Sequence, residues 1–325
     1  MKLYLKTMII SLLLILSIST EKLSAQVSTW DGTWQPWTHG TGTEADPFLI
    51  KNAQQLAYLA YIVNYEYDAN VYHYKLMIDV NLNGNDNLQW TPIGHFYCPF
   101  YGRIDGNSHT ISGLFIKATV ELDNYTSQHI GFIGYADGAV VENLNISGEI
   151  NCWYQYREIN TCYAGGFVGY AKGMTLINNC NNNCNVYLSV AKYSDNYSYT
   201  GGLIGYCDGN TIITNCSNNA TISSSASMQH WNQLSYAGGI SGYGGNISNC
   251  FNCGEIRSEP STDTGTTNAF AGGIAGYGNT INSCYNKGTI ISNGYHMTSG
   301  TRLSCSGGIT GSNGTISSCY NVGNL

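Results

Sequence analysis

The sequence predicts an all-β parallel β-solenoid, and three observations carry that prediction: a repeat of about 35 residues, a glycine-rich and weakly charged composition, and the lack of a sustained helical period. Of 325 residues, 39 are Gly, 26 are Tyr and only 10% are charged, against roughly 25% charged residues in an ordinary soluble domain. With 43% hydrophobic and 12% aromatic residues there is apolar surface to bury, which excludes a disordered chain. Gly, Asn, Ser, Thr and Tyr dominate, and each ranks low in a helix interior, which excludes a helical bundle.

Residues 1–25 have the pattern of a secretory signal peptide. Lys2 and Lys6 precede an apolar stretch, Met8 to Ile18, that ends in the small-residue exit Leu23-Ser24-Ala25. That stretch is far shorter than the roughly 20 residues needed to span a bilayer, and the first cysteine, Cys98, lies too far downstream for a lipoprotein anchor. The chain is therefore expected to be exported: secreted, periplasmic or attached to the cell surface, without a transmembrane segment after cleavage. Its remaining 10 Lys and Arg face 19 Asp and Glu, so a nucleic acid partner is excluded on charge.

Residues 26–70 form an N-terminal opening and capping region, and residues 71–325 carry the repeats. In residues 52–64, Asn52 can cap a helix whose Leu56, Leu59, Ala60 and Val63 share one face. Such a helix would close the open end of the solenoid. The repeat itself is explicit. Gly131-Phe132-Ile133-Gly134-Tyr135, Gly166-Phe167-Val168-Gly169-Tyr170, Gly202-Leu203-Ile204-Gly205-Tyr206, Gly239-Ile240-Ser241-Gly242-Tyr243, Gly273-Ile274-Ala275-Gly276-Tyr277 and Gly308-Ile309-Thr310-Gly311-Ser312 are one motif six times. Each is followed by an apolar pair three residues apart, which is Ile177 and Cys180 in the second copy and Val141 and Leu144 in the first. Asn182, Asn218, Asn252, Asn286 and Asn321 then recur two positions later, with Ile146 as the exception. The spacing of three breaks strand alternation, so a corner falls there, and the recurring Asn reads as a ladder bonding backbone groups at a bend. About eight stacked rungs would make a rod near 38 Å long.

These Gly-hydrophobic-hydrophobic-Gly copies resemble the GLUG-motif repeat family of bacterial secreted and surface proteins. The opening segments from Gly40 to Ile50, Ala53 to Ala60, Trp90 to Gly94 and Asp105 to Ile111 are similar to those that begin such solenoids. The resemblance implies a right-handed parallel β-helix exported by bacteria of the Bacteroidota type, with adhesion as the associated role. Some members carry a metallopeptidase domain, whose His-Glu-x-x-His motif does not occur in this sequence.

The chemistry-bearing residues divide by repeat position. Cys180, Cys216, Cys250, Cys284 and Cys319 share the place of Leu144 and are expected to form an inward, reduced structural ladder, because side chains leaving a parallel sheet stay near 4.8 Å apart. Cys152 and Cys162 flank one excursion and are the pair best placed to bridge. Asp79 to Gly84 opens like a calcium loop, but Trp90 stands where a bidentate Glu is needed, so a turn is expected. No cofactor or metal site is predicted. Glu142, Glu149, Glu255 and the turn aspartates fall in different registers, which disfavours a polysaccharide-active enzyme, and His95 and His109 read as turn residues.

The excursions between the sixth-position apolar residue and the next Gly-Gly vary in length and are rich in aromatics. Trp153, Tyr154, Tyr156, Tyr193, Tyr197, Trp231, Tyr295 and His296 are the candidate ligand-binding residues, expected to form one exposed face for a glycan or a cell-surface protein. The function expected from sequence is an exported, non-catalytic binding or adhesion module. The alternatives are a polysaccharide-active β-helix enzyme, a structural spacer, or a fragment of a longer surface protein, with self-association at the C-terminal end.

Overall fold

The computed structural model describes residues 27–66, 71–117, 127–155, 161–191, 195–227 and 232–325. Signal-peptide residues 1–25 and the predicted ligand residues Tyr156, Tyr193 and Trp231 lie outside them. The described chain is a parallel β-solenoid whose named strands pair in parallel within four sheets, with a single helix, α1 (Ala53–Tyr65).

One turn shows the path. Ile204–Cys207 lies in a six-stranded sheet that we call the tyrosine sheet, and Ile212–Thr214 in a nine-stranded base sheet. Ser217–Asn218 and Ile222–Ala226 belong to a twelve-stranded long sheet, and Gln233–Gly238 to a six-stranded wing sheet. The next turn begins at Ser241–Tyr243. Six turns carry the tyrosine and wing sheets; the base sheet extends to nine strands, because the opening segments add short rungs. The count of eight expected from sequence falls between these values.

The repeat residues take up inward columns. Val141, Ile177, Ile213, Ile247 and Ile281 are register partners in the base sheet and are fully buried. The corner after them is made by Asn143, Asn179, Asn215 and Asn249, with φ between 52° and 55°. Asn tolerates this left-handed region better than other non-glycine residues. Past the corner, each cysteine sulfur lies against the rung before it: the Cys180, Cys216 and Cys250 amides stand 3.4 Å from the sulfur of Cys216, Cys250 and Cys284. The inner Asn column is buried and continuous. Asn182, Asn218 and Asn252 each donate Nδ2 to the next Asn Oδ1 at 2.7 Å and to the carbonyl two residues on.

Helix α1 begins where Asn52 accepts from the Gln55 amide at 2.8 Å, and it buries Leu56, Leu59, Ala60 and Val63 as the period requires. Asn64 ties it to the next layer, donating to the Pro92 carbonyl and accepting from the Gly94 amide. Ile93 and Phe100 then bridge to Ile133 and Ala136, so the helix and this segment cover the N-terminal edge of the tyrosine sheet. Asp79–Asn81 is a strand followed by a turn at Asn83, and His109 bonds Asp79.

Candidate functional site

The Gly-x-x-Gly motif creates a re-entrant corner between the wing and tyrosine sheets. A Cβ on its first glycine would strike the inner Asn column, as at Gly202 against Asn218 Cγ at 2.6 Å. A Cβ on its second glycine would strike the wing backbone of an earlier rung, as at Gly205 against the Ala164 amide nitrogen at 2.5 Å. Glycine therefore lets the outer faces of two sheets close on each other.

Two aromatic ladders line this corner. On the tyrosine sheet, Tyr135, Tyr170, Tyr206, Tyr243 and Tyr277 stack with ring centroids 4.9, 5.0, 4.7 and 4.3 Å apart. On the wing sheet, His129, Tyr163, Tyr199, Tyr236 and Phe270 stack at 5.4, 5.3, 5.3 and 4.8 Å. The ladders meet edge to face, as at Tyr199 and Tyr206, 5.4 Å apart at 88°. Ring faces are thus taken by neighbouring rings, and edges and hydroxyls are what the ladders present.

Burial raises the phenol pKa values of Tyr163, Tyr170, Tyr199, Tyr206, Tyr236 and Tyr243, to about 12 for Tyr170 and Tyr236, with neighbouring tyrosines adding to the effect at Tyr170 and Tyr236. Those hydroxyls therefore stay protonated at neutral pH and act as neutral donors and acceptors. Beside the ladder, Tyr206, Tyr243 and Tyr277 form one wall of a cleft of about 420 Å³ that Asp208, Asn279 and Asn313 also line. Asn313 Nδ2 donates to the Tyr277 hydroxyl. Asp208 Oδ1 accepts from the Asn210 amide and Oδ2 from the Gly173 amide.

His129 holds the place of a tyrosine in the wing ladder. Burial first, and His95 second, push its pKa down to about 4 from 6.5. The unfolded chain therefore binds a proton more readily than the folded one between pH 6.5 and 4. Stability from this residue is present above pH 6.5 and is lost as pH falls towards 4, a loss of about 3 kcal/mol from the pKa difference. Chemical denaturation at pH 7.5 and 4.5 should show that loss, and His129→Phe should remove most of it; equal acid sensitivity in both proteins would defeat the assignment.

The described members of the predicted excursion set, Trp153, Tyr154, Tyr197, Tyr295 and His296, do not make one face. In their described parts the excursions fold as a two-layered wing, the long sheet's extension packing on the wing sheet. Ser224 donates to Ser198 Oγ, and Ser258 to Ser235 Oγ, both at 2.9 Å in its buried interior. Alternate residues of an excursion are consequently internal. Tyr154 is only 4% exposed, and with Cys152 and Cys162 it packs inside the wing, which corrects its expected role as an exposed ring. Trp153 is 51% exposed on the long-sheet side. Tyr197 alternates with buried Asn196 and Ser198, so it lies on the opposite, wing-sheet side, two residues from Tyr199. Tyr295 is 54% exposed in the last wing strand, Tyr295–Gly307, where His296 also lies in register with Thr262. The sequence signal for the ladders was the Tyr that closes five of the six motif copies, together with Tyr163, Tyr199 and Tyr236 just before Gly-Gly.

A carboxylate pair also emerges that sequence register obscured. Asp105 and Glu142 are partners on adjacent base-sheet rungs, in a charged cluster with Lys75 and Arg103. Glu142 is bonded by Arg103, and Asp105 by Asn143, the Asn107 amide and Lys75. Burial raises the Asp105 pKa, but those three partners outweigh it and hold it below the usual value. General acid catalysis of glycoside cleavage requires one carboxyl raised. Among the described residues, no group of three or more His, Cys, Asp or Glu is placed to hold a metal ion.

The fold and groove together define an all-β parallel solenoid with repeated aromatic ladders. No protein-family profile matches the chain. A segment of 114 residues, 34% of the chain, is 32% identical to a candidate Gly-rich membrane protein of Evansella cellulosilytica, of which it covers 12%. The solved structure of a candidate immunoglobulin A1 protease from Bacteroides ovatus shares the fold, with a TM-score of 0.53 at 20% identity, covering 88% of this chain and 78% of that one. Among the described residues no helix is long and apolar enough to cross a membrane.

Proposed function

We propose that this chain is an exported, non-catalytic surface module of the GLUG-repeat type that binds a neutral, extended glycan along the tyrosine-sheet cleft. The observation that carries this reading is the tyrosine ladder: phenol hydroxyls repeat at one-rung spacing along the rod, beside Asn279, Asn313 and Asp208. A polyol is recognised by such an array of neutral donors and acceptors, repeated in step with its own units. Tyr197, on the outward side of the wing sheet two residues from Tyr199, continues the aromatic wall, while Trp153 is exposed on the opposite, long-sheet side and Tyr295 at the start of the last wing strand. Among the described residues lining the cleft, Asp208 is the one carboxylate, which supports binding over hydrolysis. Export through residues 1–25 accords with the membrane-protein name of the Evansella relative.

The test is a glycan array probed with purified residues 26–325 and with the double variant Tyr206→Phe/Tyr243→Phe. Phenylalanine keeps ring stacking and removes the hydroxyls. Binding should weaken by about tenfold or more, with a melting temperature close to that of the parent. Unchanged binding, or a loss that merely follows unfolding, would overturn the proposal.

A further inference from the structure

A second cleft lies at the capped end, three rungs from the Ile204 strand along the series Ile93, Ile133, Val168, Ile204. Four of the chain's six tryptophans, Trp30, Trp34, Trp37 and Trp90, fall in this region. Between the turn at residues 30–34, helix α1 and residues 87–91 there is a cleft of about 340 Å³, a size that suits a small ligand. Its floor is fixed before any ligand arrives. The Trp90 indole donates to the Phe132 carbonyl at 3.0 Å, its ring stacks on Phe132, and Trp30 meets it edge to face. The Trp30 indole donates to the Thr33 carbonyl at 2.7 Å, while Asp31 accepts from the Thr33 amide and hydroxyl.

Covering the solenoid end accounts for Trp30 and Trp90, which are buried, but not for Trp34, which remains 47% exposed. Trp34 stacks on both Tyr58 and Tyr61, at 5.3 and 4.4 Å, while those two rings are 6.3 Å apart. Trp34 and Tyr65, the latter 66% exposed, both line the cleft, so ring area of each is open to a ligand there. Around the same cleft stand the side chains of Asn87, Gln89 and Thr91, all exposed. Gln89 accepts from the Lys117 amide through Oε1, which orients its NH₂ group. No Asp, Glu, Lys, Arg or His lines the cleft among the described residues.

We infer that this cap cleft binds one neutral pyranose unit, its C–H face on Trp34 and its hydroxyls on Asn87, Gln89 and Thr91. A rigid indole face flanked by amides and a hydroxyl matches a ring with one apolar face and a polar rim. The uncharged lining gives no partner to a carboxylate or amine, and burying either unpaired is costly, so charged sugars are rejected.

The inference is tested by titrating residues 26–325 with methyl glycosides of glucose, galactose and mannose, and with glucuronate and N-acetylneuraminate, following tryptophan fluorescence and saturation-transfer NMR. At least one neutral glycoside should bind saturably in the millimolar range. Trp34→Ala and, independently, Asn87→Ala should each weaken it by about tenfold, and Tyr206→Phe/Tyr243→Phe should leave it intact. Melting curves of Asn87→Ala should match the parent, because that side chain is exposed. Silence with every neutral glycoside, binding by both cap variants as tight as the parent's, or binding of the acidic sugars as tight as that of the neutral ones would overturn it. Loss of glycoside binding in the tyrosine double variant would instead assign the ligand to the groove and also overturn the cap site.

Discussion

Replacing Gly238 by alanine is expected to destabilise the solenoid by more than about 4 kcal/mol, the range reached when a substitution leaves a buried site with no room to adjust. The added Cβ would lie 1.9 Å from the Ser241 carbonyl oxygen and 2.6 Å from the Gly276 amide nitrogen. Both contacts are to backbone, so no rotamer relieves them. The strand must move, and it is paired in parallel with Asn196–Gly201 on one side and Ser261–Gly272 on the other. Damage should therefore spread to neighbouring rungs, as it does in stacked repeats whose stability resides in their interfaces. Gly209→Ala is the control: its Cβ meets only Asn279 Nδ2, at 3.4 Å, so the change should stay within about 1 kcal/mol. Urea denaturation and limited proteolysis of both variants check the contrast. Similar stability in the two proteins would show that the Gly-Gly corner is not the close approach argued above.

Asn252→Ala should cost about 3 kcal/mol or more, because the side chain makes four hydrogen bonds within the buried column. It donates to the Gly254 carbonyl at 2.9 Å and to Asn286 Oδ1 at 2.7 Å. It accepts from Asn218 Nδ2 at 2.7 Å and from the Gly254 amide at 3.2 Å. Removing it leaves polar groups unpaired inside the rod. The same change at Asn321, in the last rung, should be milder, since that residue is partly exposed and has a ladder partner on one side in Asn286. Denaturation midpoints of the two variants measure the gradient. Equal losses at both positions would mean that the ladder contributes no cooperative term.

The two largest effects fall on residue types that the repeat displayed openly, Gly and Asn, and the reason is physical. A solenoid places the same residue of every copy in the same local environment, so periodicity in sequence becomes a column in space. Parallel stacking, the apolar Ile columns and the corner between each Ile and the Cys three residues on could all be read from spacing. So could the helix over residues 52–64, because its cap and its face are local properties.

What spacing could not give is how the turns of one rung face each other. Alternation within an excursion shows that every second residue is internal, but it does not show that two sheets close on one another. Tyr154 and Trp153 are adjacent in the chain, yet one is packed inside the wing and the other is exposed, because the long sheet's extension packs on the wing sheet. The aromatic groove arises the same way. Tyr199 and Tyr206 lie seven positions apart in sequence and touch edge to face only because the Gly-Gly corner is re-entrant. Asp105 and Glu142 likewise stand on neighbouring rungs although they belong to dissimilar segments. The sequence by itself determined the repeat, the parallel β architecture, and the residues that fill the inward columns. The tertiary structure alone decided which outward faces meet and where aromatic rings converge, because contacts between sheets depend on the angle at each corner, and a one-dimensional period carries no information about that angle.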